Sequence, residues 1–311
     1  HIERDNASLA FSLLWKMEED CVLPSKFTFV AVLKACAILK CVVKSREVHL
    51  WIVKLGLESD YFIGNTLVDL YAKCGSILEA QKVFVKLPAR DTVSWTALIA
   101  GHVDHNQGLE ALNCFEEMLH QDVLPNVITF VCSLKACGSI GAIQKGQEIH
   151  AEVERKGLVE SNPFIGSTLV DMYAKCGLLG KALDIFNRLL VRDVISWNAI
   201  IAGYAQIGMV NTVFLTLDKM IGENIIPNQV TFLSVLTACS HAGLVVRGQM
   251  FFEIMSQNFG IASSLAHQTC MIDLLGRSGY LNDALKLLSS MPIVINTTGW
   301  TSLHAACRKF G

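Results

Sequence analysis

Apolar residues recur along this chain at the spacing of one helix face. Ala80, Val83, Phe84 and Leu87 stand at i, i+3, i+4 and i+7, which puts them on one side of an α-helix. The pattern returns as Ala182, Ile185, Phe186 and Leu189, and again as Ala284, Leu287, Leu288 and Met291. Gly75, Gly177 and Gly279 come just before these runs. They predict the turn joining each helix to the one before it, because glycine accepts the left-handed backbone that ends a helix. Pro125 and Pro227 are expected to stop a helix, since the residue before a proline is pushed out of the helical region. The reading is all-α, with short helices paired into hairpins.

The runs belong to a longer echo. "LVDLYAKCG" (67–75) and "LVDMYAKCG" (169–177) differ at one letter and lie 102 residues apart. "FIG" at 62–64 returns at 164–166, "RD" at 90–91 returns at 192–193, "SW" at 94–95 returns at 196–197, and "PN" at 125–126 returns at 227–228. "LKAC" (33–36) recurs at 134–137 and as "LTAC" at 236–239, and "DLLGRSG" (273–279) is a weaker third copy of the first phrase. A fixed period of this kind signals a stacked repeat array. Each period divides into three hairpins. Residues 1–25 are the tail of one unit. Units 26–60, 61–91, 92–126, 127–162, 163–193, 194–228, 229–264 and 265–296 follow, and 297–311 begin another. No linker or low-complexity run interrupts them, so one solenoid over 1–311, cut from a longer protein at both ends, is expected.

Composition narrows the possibilities. The chain is 52% hydrophobic and 17% charged, yet its most apolar stretch, 198–217, is broken by Gly203, Gln206, Gly208, Asn211 and Thr212. A membrane span is not expected, and helices buried on more than one side are. Net charge is −2, which gives none of the basic excess usual in nucleic-acid binders. Eleven cysteines are present, none in a C-x-x-C pair. Cys36, Cys137 and Cys239 recur in phase, as do Cys74 and Cys176, which suits small buried fillers in a reducing compartment.

The unit lengths and letters carry a family resemblance. "VSWTALIAGHVDHNQGLEALNCFEEMLHQDVLPN" (93–126) resembles the P-type motif of pentatricopeptide repeat proteins. "KFTFVAVLKACAILKCVVKSREVHLWIVKLGLESD" (26–60) resembles their L-type motif, and "YFIGNTLVDLYAKCGSILEAQKVFVKLPARD" (61–91) their S-type motif. "MIDLLGRSGYLNDALKLLSSMP" (271–292) is similar to a last S-type motif, and "WTSLHAACRKFG" (300–311) to the start of a C-terminal extension motif. The whole chain thus resembles a plant protein of the PLS class. The resemblance implies a right-handed α-solenoid that binds single-stranded RNA, one base per repeat, in mitochondria or chloroplasts. It implies a site-recognition factor for C-to-U editing, with a deaminase or accessory protein in trans. RNA stabilisation, splicing or translation, and a protein-binding scaffold, stand as alternatives.

In such repeats the fifth and last side chains read a base edge, as short polar groups can do with an unstacked base. Carried over, the pairs are Asn65 with Asp91 (uridine), Thr96 with Asn126 (adenine), Ser167 with Asp193 (guanine), Asn198 with Asn228 (a pyrimidine, cytosine preferred) and Thr269 with Asn296 (adenine). The L-type pairs, Val30 with Asp60, Val131 with Asn162 and Leu233 with Ser264, offer an aliphatic fifth residue and are expected to read weakly. The implied core is 5′-nUAnGYnA-3′. Second-position residues Phe62, Val93, Phe164 and Ile195 are implied to stack on bases, and Lys73, Lys175 and Arg277 could meet phosphates. Helix capping by the same polar residues, apolar packing and solvated surface charge are the competing roles. The acidic balance predicts a shallow salt dependence, about −0.7 per phosphate contact.

An enzyme is not expected. "HAE" (150–152) matches half of a zinc deaminase signature, but no P-C-x-x-C supplies the thiolates, and no G-x-S-x-G or P-loop exists. No cofactor or metal is expected.

Overall fold

The structure, a computed structural model, describes residues 2–289 and Trp300. The chain falls into two compact units that meet in sequence at Leu158 and Val159. The first contains α1 (Ile2–Glu19), α2 (Lys26–Leu39), α3 (Val42–Lys54), α4 (Tyr61–Lys73), α5 (Ile77–Lys86), α6 (Thr92–Asp104), α7 (Gly108–His120), α8 (Val127–Ile140) and α9 (Ile143–Arg155). A short α10 (Leu158–Ser161) spans the boundary. The second unit contains α11 (Pro163–Lys175), α12 (Leu179–Arg188), α13 (Val194–Gln206), α14 (Val210–Gly222), α15 (Gln229–Ala242), α16 (Val245–Gln257), α17 (Leu265–Arg277) and α18 (Leu281–Ser289). No strand occurs among the described residues.

In both units the helices alternate between two environments. Helices α2, α4, α6 and α8 pack side by side, each against the next, as α11, α13, α15 and α17 do in the second unit. Such a helix is flanked on two sides and carries apolar residues nearly all round. In α4, Ile63, Leu67, Val68 and Leu70 are fully buried. The intervening helices cover one side only and are amphipathic. Helix α5 buries Ile77, Ala80, Val83 and Phe84 while Leu78 and Val85 face out. The result is an α-solenoid of helical hairpins, and its apolar composition follows from the doubly packed layer.

Two sequence echoes now have causes. In "RDTVSW" the Arg90 guanidinium lies 5.2 Å from the Phe84 ring, Asp91 caps α6, Ser94 completes the cap, and Trp95 meets Phe84 edge-on at 4.6 Å. "RDVISW" repeats this with Arg192 over Phe186 at 4.9 Å and Trp197 against Phe186 at 4.8 Å. In "YAKCG" the backbone turns at Gly75 (φ 80°) and Gly177 (φ 76°), where a side chain would be strained.

The prolines act differently from the expectation. Helix α7 ends at His120, five residues before Pro125, and α14 ends at Gly222, five before Pro227. Left-handed Asp122 and Asn224 close those ends, with Val123 N donating to Met118 O at 3.1 Å and Ile225 N to Met220 O at 3.0 Å. Pro125 and Pro227 instead precede the N-caps of α8 and α15, where extended backbone leads into the next helix.

The cysteines at the described positions are free thiols. Cys36, Cys137 and Cys239 are fully buried, and burial pushes the Cys36 thiol up to about 12. No helix among the described residues is long and apolar enough to cross a membrane.

Candidate nucleic-acid interface

The last residue of each of the seven expected units from 26–60 to 229–264 is the N-cap of the following first helix. Asp60 accepts from Phe62 N at 3.0 Å and Ile63 N at 3.2 Å. Asp91 accepts from Ser94 N at 2.9 Å, Asn126 from Thr129 N at 2.9 Å, Asn162 from Phe164 N at 3.0 Å, and Asp193 from Ser196 N at 2.9 Å. Asn228 takes both Val230 N at 3.0 Å and Thr231 N at 3.1 Å. Each cap satisfies helix N–H groups that have no partner of their own, an effect of about 1 kcal/mol.

The caps also hold the fifth residues of the preceding helices. In the first unit Asn65 Nδ2 donates to Asp91 Oδ1 at 3.2 Å. Thr96 reaches Asn126 through Thr129, whose hydroxyl oxygen lies 2.6 Å from Thr96 Oγ1 and 3.0 Å from Asn126 Oδ1. In the second unit Ser167 Oγ donates to Asp193 Oδ1 at 2.8 Å, and Asn198 Nδ2 to Asn228 Oδ1 at 3.1 Å. All four pairs with a polar fifth residue and both members described are therefore coupled, and capping and pairing coexist in the same side chains. Asn296, the expected partner of half-buried Thr269, lies outside the described residues. Val30, Val131 and Leu233 are half-buried aliphatic groups with no hydrogen-bonding side-chain atom.

Asp91 shows the electrostatics of these sites. Burial pushes its carboxyl up, but hydrogen bonds from the Tyr61 hydroxyl, from Ser94 and from Asn65 together hold it below the usual carboxylate range. Asn65 Oδ1 is buried and has no hydrogen-bond partner. An unpaired buried acceptor of this kind is unfavourable, and a donor brought by a ligand would relieve it.

The fifth residues of the four coupled pairs are hardly exposed, from 1% at Ser167 to 8% at Thr96 and Asn198. The second residues are the opposite. Phe62, Val93, Phe164 and Ile195 project into solvent. So do Phe27, Ile128 and Val230 at the same place in the stretches 26–60, 127–162 and 229–264, which the sequence pattern alone did not single out. Together these seven are between 46% and 73% exposed, so burial in the core is not their role. Phe62 stands one turn before Asn65, and Val93 two residues after Asp91. An apolar group thus precedes and follows the hydrogen-bonded pair.

Asn65, Asp69 and Lys73 run along one ridge of α4 at four-residue steps. Lys73 Nζ lies 2.7 Å from Asp69, Lys175 Nζ 2.7 Å from Asp171, and Arg277 Nε 2.8 Å from Asp273. Each candidate phosphate ligand thus carries its own counter-ion, a partner that the D-x-x-x-K/R spacing spells out. In the second unit the α17 ridge Thr269, Asp273 and Arg277 faces Thr237, Ser240 and His241 of α15 across a groove of about 620 Å³. Ser240 Oγ donates to Asp273 at 2.7 Å there.

The H-x-E fragment lies on α9, one of the intervening helices. Glu152 pairs with Arg155 at 2.7 Å and with Lys156 at 3.4 Å, which commits it to surface ion pairing. No group of His, Cys, Asp and Glu among the described residues could hold a metal ion.

Comparison with known proteins decides the family. The PPR repeat family model matches residues 90–139 and 192–241, and a PPR repeat model matches 65–91, 167–194 and 269–292, together more than half of the chain. The chain belongs to the pentatricopeptide repeat family. Over 305 residues it is 39% identical to the chloroplastic pentatricopeptide repeat-containing protein CRR2 of Arabidopsis thaliana, covering 96% of this chain and 46% of that protein. The chloroplastic Arabidopsis thaliana pentatricopeptide repeat protein At1g08070 is 38% identical over 292 residues, covering 93% of this chain and 39% of the relative. The chain therefore spans less than half of each. Among solved structures, pentatricopeptide repeat protein PPR10 in complex with an 18-nt psaJ RNA element superposes with a TM-score of 0.80 at 19% identity, over 96% of this chain and 43% of that one. The likeness establishes the same solenoid fold. What the family models match is repeat.

Proposed function

We propose that this pentatricopeptide repeat chain binds single-stranded RNA, reading one base per repeat, as an organellar RNA-processing factor. The observation that carries the reading is the coupling of fifth and last side chains. Asn65–Asp91, Ser167–Asp193 and Asn198–Asn228 are joined directly, and Thr96–Asn126 through Thr129. A coupled pair presents a fixed set of donors and acceptors, which a base edge must match.

The atoms left over agree with the assignments. Ser167 spends its single proton on Asp193, so the pair offers acceptors, which suit the N1–H and N2–H donors of guanine. Thr96 spends its proton on Thr92 O at 2.6 Å and keeps an acceptor for the adenine amino group, while the Asn126 amide can donate to adenine N1. Asn65 keeps the unpaired Oδ1, an acceptor that suits uracil N3–H. Because the pairs are nearly buried, a base reaches them only by entering edge-on beside the exposed second-position residues. Base stacking on such groups contributes about 1–3 kcal/mol where they are aromatic. Lys73, Lys175 and Arg277 would then face phosphates, in exchange for or alongside their aspartates.

The finer reading is a PLS-class site-recognition factor for C-to-U editing, with a deaminase or accessory protein in trans. Support comes from the P, L and S motif lengths and, for the organelle, from the chloroplastic relatives. The test is binding of an RNA containing UAnGYnA against a scrambled RNA by wild type and Thr96→Asn. The expected result is preference for the former, with the variant moving from adenine toward pyrimidine at one base. Equal binding of both RNAs by both proteins would leave the polar residues as helix caps and favour a protein-binding scaffold.

A further inference from the structure

We propose that Thr129 and Thr231, the third residues of α8 and α15, are positioning residues that set which atoms of Thr96 and Asn198 are left for a base. This rests on the base-reading proposal above and adds a residue to each reading site. Thr231 is fully buried, and its hydroxyl oxygen lies 2.6 Å from Asn198 Oδ1 and 3.2 Å from Asn228 Oδ1. A hydroxyl has one proton, which goes to the nearer acceptor, Asn198. Asn198 Nδ2 donates to Asn228 Oδ1, whose oxygen also takes the Val230 and Thr231 N–H groups. The Asn198 amide is thereby pinned at both ends. Its carbonyl oxygen already accepts the Thr231 proton, and the wholly unused groups at this site are N–H donors of Asn198 and Asn228. Donors suit cytosine N3 and O2, and they oppose the N3–H of uracil.

The first unit repeats the device. Thr96 gives its proton to Thr92 O. Of the two acceptors in reach of the Thr129 hydroxyl, Thr96 at 2.6 Å and Asn126 Oδ1 at 3.0 Å, the nearer takes its single proton, while Thr129 Oγ1 stays tied to Asn126 by accepting from its backbone N–H at 3.2 Å. Thr96 is left with no proton to offer, which favours the adenine amino group over an acceptor at the same place.

Serine at the third position behaves otherwise. Ser94 and Ser196 turn their hydroxyls back onto the carbonyls of Asp91 at 3.0 Å and Asp193 at 2.9 Å. Asn65 Oδ1 consequently stays buried and unpartnered, although Asn65 itself is only 7% exposed. Two asparagines at the same repeat position therefore present different faces. Asn65 has an acceptor open to uracil N3–H, and Asn198 has that acceptor covered. The residue responsible lies 29 positions beyond Asn65 and 33 beyond Asn198, in the next repeat.

The test measures affinity for labelled RNAs that differ only in the base opposite the Asn198 repeat, or only in that opposite the Asn65 repeat. Thr231→Val removes the hydroxyl and frees Asn198 Oδ1. It should lower the cytosine-over-uracil ratio at the first position about fivefold, the size of one hydrogen bond, with ratios elsewhere unchanged. Ser94→Thr should lower the uracil-over-cytosine ratio at the second position in the same way. A merely structural role would weaken all RNAs together and leave each ratio alone. Asn198→Ala is run in parallel. If it alters the ratio while folded Thr231→Val does not, the role of the third residue is overturned and base reading stands. If Asn198→Ala leaves the ratio unchanged, base reading itself falls, and this inference with it. Should Thr231→Val fail to fold, an unchanged ratio in Ser94→Thr is sufficient to reject it.

Discussion

Ser167 donates its hydroxyl to Asp193 at 2.8 Å across 26 residues of chain, while the same carboxylate oxygen caps α13 through Ser196 N at 2.9 Å. One aspartate thus ties a helix start to the helix before it. Ser167→Ala would leave the cap in place and remove one hydrogen bond. The expected loss of stability is about 1 kcal/mol, a few degrees in calorimetric melting. Guanine discrimination at this repeat should fall about fivefold, because the remaining acceptor of the fifth position is gone. Asp193→Ala should melt lower still, since it removes cap and pair together. A Ser167→Ala protein with unaltered base preference would separate the pairing from recognition.

Asp91 makes the coupling sensitive to acid. Hydrogen bonds from Tyr61, Ser94 and Asn65 outweigh burial and hold its carboxyl below its ordinary value of 3.8. A group lowered in this way adds stability that is complete above the unfolded pKa and is lost as pH falls through the folded one. Asp91→Asn keeps a capping side chain but cannot ionise. Urea midpoints of the two proteins should therefore differ by a constant amount above about pH 5 and converge as pH falls below 3.8. A gap that persists unchanged at pH 3 would show that the charge on Asp91 contributes nothing to the difference.

The phase of the array was legible because helix period and repeat period agree. The glycines at 75 and 177, the face Ala80, Val83, Phe84 and Leu87, and the polar residue before each first helix carry the signal locally. Pro125 was misread because a proline marks extended backbone without saying which neighbouring helix it serves. The structure gives it to the start of α8. Thr129 and Thr231 went unnoticed for another reason. They look like ordinary partners in a capping box, and their second contact, to Thr96 and Asn198, lies 33 residues away. Phe27, Ile128 and Val230 were in plain phase with Phe62. Their exposure, which distinguishes a stacking surface from a core, is a property of packing that sequence alone does not supply.

Charge on the first-helix ridges is balanced pair by pair. Lys73 with Asp69 and Lys175 with Asp171 stand on exposed i, i+4 positions, where such pairs contribute little to stability. Their aspartates should instead restrain RNA affinity. Asp69→Asn and Asp171→Asn would each release a lysine with little change in melting. If the lysines meet phosphates, the slope of log affinity against log salt should steepen by about 0.7 for each phosphate newly neutralised. A slope identical to wild type in the double variant would remove both lysines from the RNA path.

Spacing between first helices is set by small residues. A Cβ on Gly101 of α6 would lie 2.6 Å from Ala72 Cβ and 3.3 Å from Ala72 Cα of α4, so neither side can yield without moving a helix. Overpacking of this kind costs about 1–3 kcal/mol, against roughly 1 kcal/mol of improved helix propensity. Gly101→Ala should therefore melt at or below wild type. It should also weaken RNA binding at the Asn65 and Thr96 repeats, because the helices that carry those residues are forced apart. Gly180 in α12 is exposed, and a Cβ there meets nothing within 4 Å. Gly180→Ala should stabilise by about 1 kcal/mol through propensity alone and leave binding unchanged. Should the two variants respond alike, the close approach of α4 and α6 would not be what fixes the separation of the reading residues.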